Sequence, residues 1–109
     1  MTFVFEIEDK TRRKIHLSKE RWKHITQEHP EISSYINDFE LILKNPTKIV
    51  SPTQEISYYY KYYKQIQSKY LLLLVKYLNG KGFIITAYFT QNIKWKGIWK
   101  FIMMKKEIF

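Results

Sequence analysis

Phe3, Phe5 and Ile7 alternate with Val4, Glu6 and Glu8, the two-residue period of a strand with one apolar face. Asp9-Lys10-Thr11 turns the chain, and residues 12–17 return as the hairpin partner. Ile15 and Leu17 then point inward, and His16 lies on the opposite, wetter face as an exposed strand histidine. At Ser18 the period lengthens. Its hydroxyl suits an N-cap, and Trp22, Ile25 and His29 recur at i, i+3, i+7 as one packed stripe. Arg21, His24 and Glu28 share a neighbouring flank at the same spacing, so Arg21 and His24 can reach one target together. Pro30 ends this helix near Glu28 or His29. A second helical pattern (Ile32, Tyr35, Ile36, Phe39, Ile42, Leu43) covers residues 31–44 and stops at Asn45-Pro46. It reads as a structural lid over a sheet.

After a short strand at Ile49-Val50, the two-residue period returns from Gln54. Residues 56–63 and 70–78 are β-rich runs joined by a polar loop, and Leu71 to Val75 is apolar on both faces, as a covered central strand is. Asn79-Gly80-Lys81-Gly82 is the strongest turn signal and closes a hairpin onto residues 83–90. Strict alternation there places Phe83, Ile85, Ala87 and Phe89 against the helices, with Ile84, Thr86, Tyr88 and Thr90 on the other face. Beyond Gln91, alternation on either side of Gly97 fits a final edge strand or a C-terminal helix. The pattern predicts one α+β domain over residues 1–109. An N-terminal hairpin and two helices pack on one face of a mostly antiparallel sheet of four or more strands.

Charge changes the picture more than composition does. Residues 1–55 hold nine basic and nine acidic side chains, whereas residues 56–109 hold ten lysines against Glu107 alone, so the whole net charge of +9 sits in the second half. A one-signed field interleaved with Tyr and Trp favours a polyanion, nucleic acid above the bland alternative of a solubilising surface. No apolar run reaches the length of a transmembrane helix, no signal-peptide layout opens the chain, and cysteine is absent. A cytoplasmic protein with no membrane partner is the expectation.

No cofactor and no metal is expected. His24 and His29 are five residues apart, not the four that align two imidazoles on one helical face, and the three glycines form no phosphate loop. What remains is metal-free acid–base chemistry. RNA is cleaved this way when a base takes the ribose 2′-OH proton, an acid protonates the leaving 5′-oxygen, and cations hold the phosphorane. His24 or His29 fits the proton roles, Arg21 and Lys76 the cationic one, and Thr86, Tyr88 and Thr90 would orient the phosphate. In the row Tyr58, Tyr60 and Tyr62, Tyr60 is a candidate for stacking on a base, and Trp95 between two lysines is another. The same row equally suits a strand that buries one face, and His29 equally suits a structural histidine at the helix junction.

Arg21-Trp22-Lys23-His24-Ile25 followed by Glu28-His29-Pro30-Glu31, a helix, Asn45-Pro46 and a strand at Ile49 resembles the phage-type branch of the barnase–EndoU–colicin–RelE nuclease superfamily. The likeness continues through Tyr58 to Tyr60, Val75-Lys76, and Phe83 to Tyr88 with Thr90, over roughly residues 14–100. It implies a RelE/barnase-like fold, with two N-terminal helices on a four-stranded antiparallel sheet, and a metal-independent, toxin-like ribonuclease. The implied partners are tRNA or mRNA, free or on the ribosome, and an acidic antitoxin or immunity protein. His24, His29, Thr86 and Tyr88 match the motif positions, with Lys76 and Arg21 as cations. The chain departs from the barnase order, since no Arg or His follows His29; a catalytic histidine must come from the helices. The alternative is a nuclease-like module that binds nucleic acid or protein without cutting.

Overall fold

Ser18 ends a strand and starts a helix at once: its hydroxyl accepts the backbone N–H of Arg21 at 3.0 Å. Around this corner the chain runs β1 (Phe3–Glu8), β2 (Lys14–Ser18), α1 (Lys19–Glu28), a 3-10 helix (Pro30–Tyr35), α2 (Ile36–Lys44), β3 (Lys48–Val50), β4 (Ile56–Tyr63), β5 (Lys69–Leu78) and β6 (Lys81–Thr90). The computed structural model describes residues 3–64, 66 and 69–91. Trp95 and the terminal strand or helix expected after Gln91 lie outside these. Among the described residues no helix is long and apolar enough to cross a membrane.

The helix expected over residues 31–44 is in two parts. Ser33 bonds the Pro30 carbonyl at 2.8 Å and Ser34 turns back on that of Glu31, side-chain bonds that compete with an α-helical start. The first turns are therefore 3-10, and the α-helix begins at Ile36.

The six strands form one sheet in the order β1-β2-β6-β5-β4-β3. It is larger than the four-stranded minimum, and it is mixed: every pair is antiparallel except β2 and β6, where Lys14, Ile15 and His16 run parallel to Lys81, Gly82 and Phe83. Gly82 permits this join, because a Cβ there would lie 2.4 Å from Ile15 Cδ1. The turn before it is tight, with Asn79 and Gly80 both at positive φ (54° and 78°), as a two-residue hairpin turn demands.

Both helices cover one face of the sheet. Ile25, Ile32, Phe39, Ile42 and Leu43 pack on Ile15, Leu17, Leu71, Leu73, Val75, Ile84 and Ala87, all buried. Trp22 meets Phe39 edge-on at 5.6 Å. A polar tie crosses this core: the Asp9 carboxylate accepts the Thr11 and Arg13 backbone N–H groups at 2.9 Å and the Tyr59 hydroxyl. The Tyr59 hydroxyl also meets that of Tyr77, whose ring lies 3.5 Å beneath the Arg13 guanidinium. Burial first, and then these bonds, hold the Tyr59 phenol well above its usual range. On the face turned away from the helices, Val50, Tyr60 and Leu72 form a smaller buried cluster, flanked by Tyr58, Tyr70 and Tyr88.

Two further expectations change. Strict alternation along β6 fails, because the register with β5 slips between Leu74 and Val75: Leu74 pairs with Thr86 and Val75 with Ile84, leaving Ile85 as an extra residue. Ile84 therefore joins Ala87 and Phe89 on the helix side and Phe83, expected there, turns to the far face beside His16, while Thr86, Tyr88 and Thr90 keep the far face. His16 is not exposed. It is 3% accessible, sandwiched between Phe3 (4.4 Å) and Phe83 (5.4 Å), with Nε2 2.5 Å from Glu6 Oε2.

Candidate active site

β2 stays beside β6 only as far as the pair His16–Phe83; the chain then leaves the sheet at Ser18 and becomes α1. Past Phe83, among the described residues, the flank of β6 that β2 would have continued is met by α1 instead of a strand. A cleft of about 350 Å³ opens there, lined by Arg21, His24, Ile25, Glu28 and His29 from the helix and Ile85, Thr86 and Tyr88 from β6. The bulged residue Ile85 sits on its wall. The cleft joins the helical layer to the far face of the sheet around the side of one strand.

Each polar group has an identifiable support. Arg21, His24 and Glu28 follow one another at i, i+3, i+7 and project from one flank of α1. His24 is half exposed, with Nε2 3.9 Å from Glu20 Oε1. His29 caps α1, its backbone N–H bonded to the Ile25 carbonyl at 2.8 Å, and Pro30 directs the chain away immediately after it. Its ring, one-third exposed, stacks on Tyr88 at 5.5 Å and 29°, and Nδ1 lies 3.8 Å from Glu31 Oε1. Burial pushes the Tyr88 phenol above its usual range, so at neutral pH it is an O–H donor. The cleft thus combines a guanidinium, two imidazoles, one carboxylate and two hydroxyls. Among the described residues no three His, Asp or Glu side chains converge as a metal centre requires.

No family model, curated protein or solved structure matches this chain.

Of the residues singled out in the sequence, the cleft gathers Arg21, His24, His29, Thr86 and Tyr88. It does not gather Lys76, Thr90 or Tyr60. Lys76 is exposed on the far face opposite Phe83, and Thr90 is paired across from Tyr70, each on the same face as Thr86 but outside the cleft lining. Tyr60 is 2% accessible, packed with Val50 and Leu72, so its ring is not presented for a base to stack on; Tyr62, at 41%, is the exposed member of that row. Three cleft residues were not singled out as site residues: Ile25, read as part of the packed stripe, Glu28 and Ile85. Glu28 was legible, since it shares the Arg21–His24 flank. Ile85 was not, because nothing in Phe83-Ile84-Ile85-Thr86 marks where alternation slips.

Proposed function

We propose that the protein is a metal-independent RNA endonuclease whose active site is the cleft between α1 and β6. The observation that carries this reading is the convergence, in one cleft, of His24 and His29 with Arg21, Thr86 and Tyr88. One imidazole takes the 2′-OH proton of the ribose. The O2′ then attacks phosphorus, and the other imidazole gives its proton to the departing O5′, leaving a 2′,3′-cyclic phosphate and a 5′-hydroxyl. Imidazole suits both steps because it titrates near neutrality. Arg21 and the Tyr88 and Thr86 hydroxyls lie where they can bond the non-bridging oxygens, whose charge grows in the phosphorane. Glu28, on the same wall, can share the base role.

The test is incubation of purified protein with tRNA and with mRNA on ribosomes, with EDTA present throughout. Cleavage yielding cyclic phosphate ends is expected. His24→Ala and His29→Ala are each expected to lower the rate by about 10²–10⁴-fold. His24 is half exposed, so its removal is expected to leave folding within about 0.5 kcal/mol of the parent; His29→Ala also loses the stack on Tyr88 and is expected to cost about 0.5–1.5 kcal/mol, so its rate is read on folded protein. RNA that is bound yet stays intact in every condition would instead identify a binding module.

A further inference from the structure

On the far face, the strand register brings three lysines from three strands around one point. Lys14 of β2 stands directly opposite Lys81 of β6, and Lys76 of β5 lies one diagonal step away, opposite Phe83. All three are exposed. Opposed Cβ atoms on one face of a sheet are about 5 Å apart and diagonal neighbours about 7–8 Å, so three ammonium groups on flexible stems can reach a single anion.

Like charges directly opposed across two strands weaken a sheet. Lys14 is partly compensated by Glu6, whose carboxylate is 3.6 Å away. Among the described residues, no carboxylate lies within ion-pairing distance of Lys76 or Lys81. Lys14 and Lys81 both disfavour the charged form of His16, which lies next to Lys14 on β2 two residues along the same face. On the β1 side the rows end in Glu6 and Glu8, which would repel an anion. The patch is therefore closed on that flank. It continues along β6 through Phe83 to Thr86 and Tyr88, the two β6 hydroxyls of the cleft.

We propose that Lys14, Lys76 and Lys81 bind backbone phosphates of a single RNA strand next to the segment held in the cleft. This placement rests on the cleft being the RNA site. A single strand can follow the surface from the cleft, around β6, and onto the far face, where a duplex would be too stiff. The repulsion between Lys14 and Lys81 is relieved when a phosphate lies between them, which gives the opposed pair a use that a purely structural role lacks.

The experiment measures binding by fluorescence anisotropy across a NaCl series, using 2′-O-methyl oligonucleotides that have no 2′-OH to attack. A 12-mer can span cleft and patch, and a dinucleotide with its single phosphodiester cannot. In a Lys14→Gln/Lys76→Gln/Lys81→Gln triple variant the salt slope for the 12-mer is expected to fall by about 1.4, at about 0.7 for each of two phosphates, one between Lys14 and Lys81 and one at Lys76. Affinity at 0.1 M NaCl should drop by at least ten-fold, with dinucleotide binding unchanged. Lys81→Gln alone should leave the melting temperature equal to or above that of the parent. A triple variant that binds the 12-mer within two-fold of the parent, at the same slope, overturns the proposal. So does a parent protein that binds phosphatidylserine vesicles but not the 12-mer. Because the probe cannot be cleaved, failure of the nuclease reading appears separately, as intact natural RNA beside normal 12-mer binding.

Discussion

His16 shows how much one side chain's surroundings decide. Its Nε2 faces the Glu6 carboxylate, so the neutral ring carries its proton there and presents a bare Nδ1, which is buried and finds no partner among the described residues. Burial lowers its affinity for a second proton, Glu6 opposes that effect, and Lys81 and Lys14 add to it; the net result is a pKa below the ordinary imidazole value. The sign follows. Above about pH 7 the ring is neutral folded or unfolded and contributes no pH dependence. Below about 6.5 the unfolded chain takes up the proton first, so stability falls with pH until the folded pKa is passed. Urea midpoints measured from pH 7 to 5 should decline in the parent, and His16→Phe, which keeps an aromatic ring between Phe3 and Phe83, should flatten that decline. Alternation alone placed His16 correctly on the face away from the helices. It could not show the two phenylalanines that close over it: Phe83 comes from a strand far along the chain, and Phe3 arrives through a register shift between Phe3 and Phe5 in the β1–β2 hairpin. Tyr88 is a second residue-scale case. Tyr88→Phe keeps the stack on His29 and removes only the hydroxyl; about a ten-fold loss of RNA cleavage is expected, from a charge-assisted bond of roughly 1.5 kcal/mol. An unchanged rate would remove that hydroxyl from the mechanism.

At the scale of elements, the periodicities were largely legible. The hairpin, the Ser18-capped helix ending at Glu28, the short strand at Ile49 and the three long strands all stand where residue spacing placed them. The misses share one cause. The parallel β2–β6 join, the β6 bulge and the serine-driven 3-10 segment are settled by contacts or local bonds that leave no mark on a hydrophobic period. Of the site, the helical flank was readable from i, i+3, i+7 spacing. Its meeting with Thr86 and Tyr88 was expected from the chemistry and the resemblance but had no spacing to show it, because the cleft exists only where β2 gives way to α1. Gly82 is the hinge of that arrangement. Gly82→Ala would press a methyl against Ile15, Tyr77 and Val75, and a loss of about 1–3 kcal/mol is expected in urea unfolding. Tolerance within 0.5 kcal/mol would show that β2 can move away without penalty.

Across the whole molecule, a net charge of +9 on 109 residues opposes compaction by self-repulsion. Added salt screens that repulsion over about 10 Å at 0.1 M. The melting temperature is expected to rise between 10 and 150 mM NaCl, even as RNA binding weakens over the same range. If both rose together, the cationic surface would not be what holds the nucleic acid.

The pairing of β2 with β6 also fixes when the cleft can exist during synthesis. The two imidazoles emerge early, on α1, but the wall that faces them is among the last described parts of the chain to leave the ribosome. An elongating chain carries His24 and His29 with no Thr86 or Tyr88 to complete the pocket. If the pocket is the proposed nuclease site, a half-made copy is unable to cut the message or the ribosome still producing it.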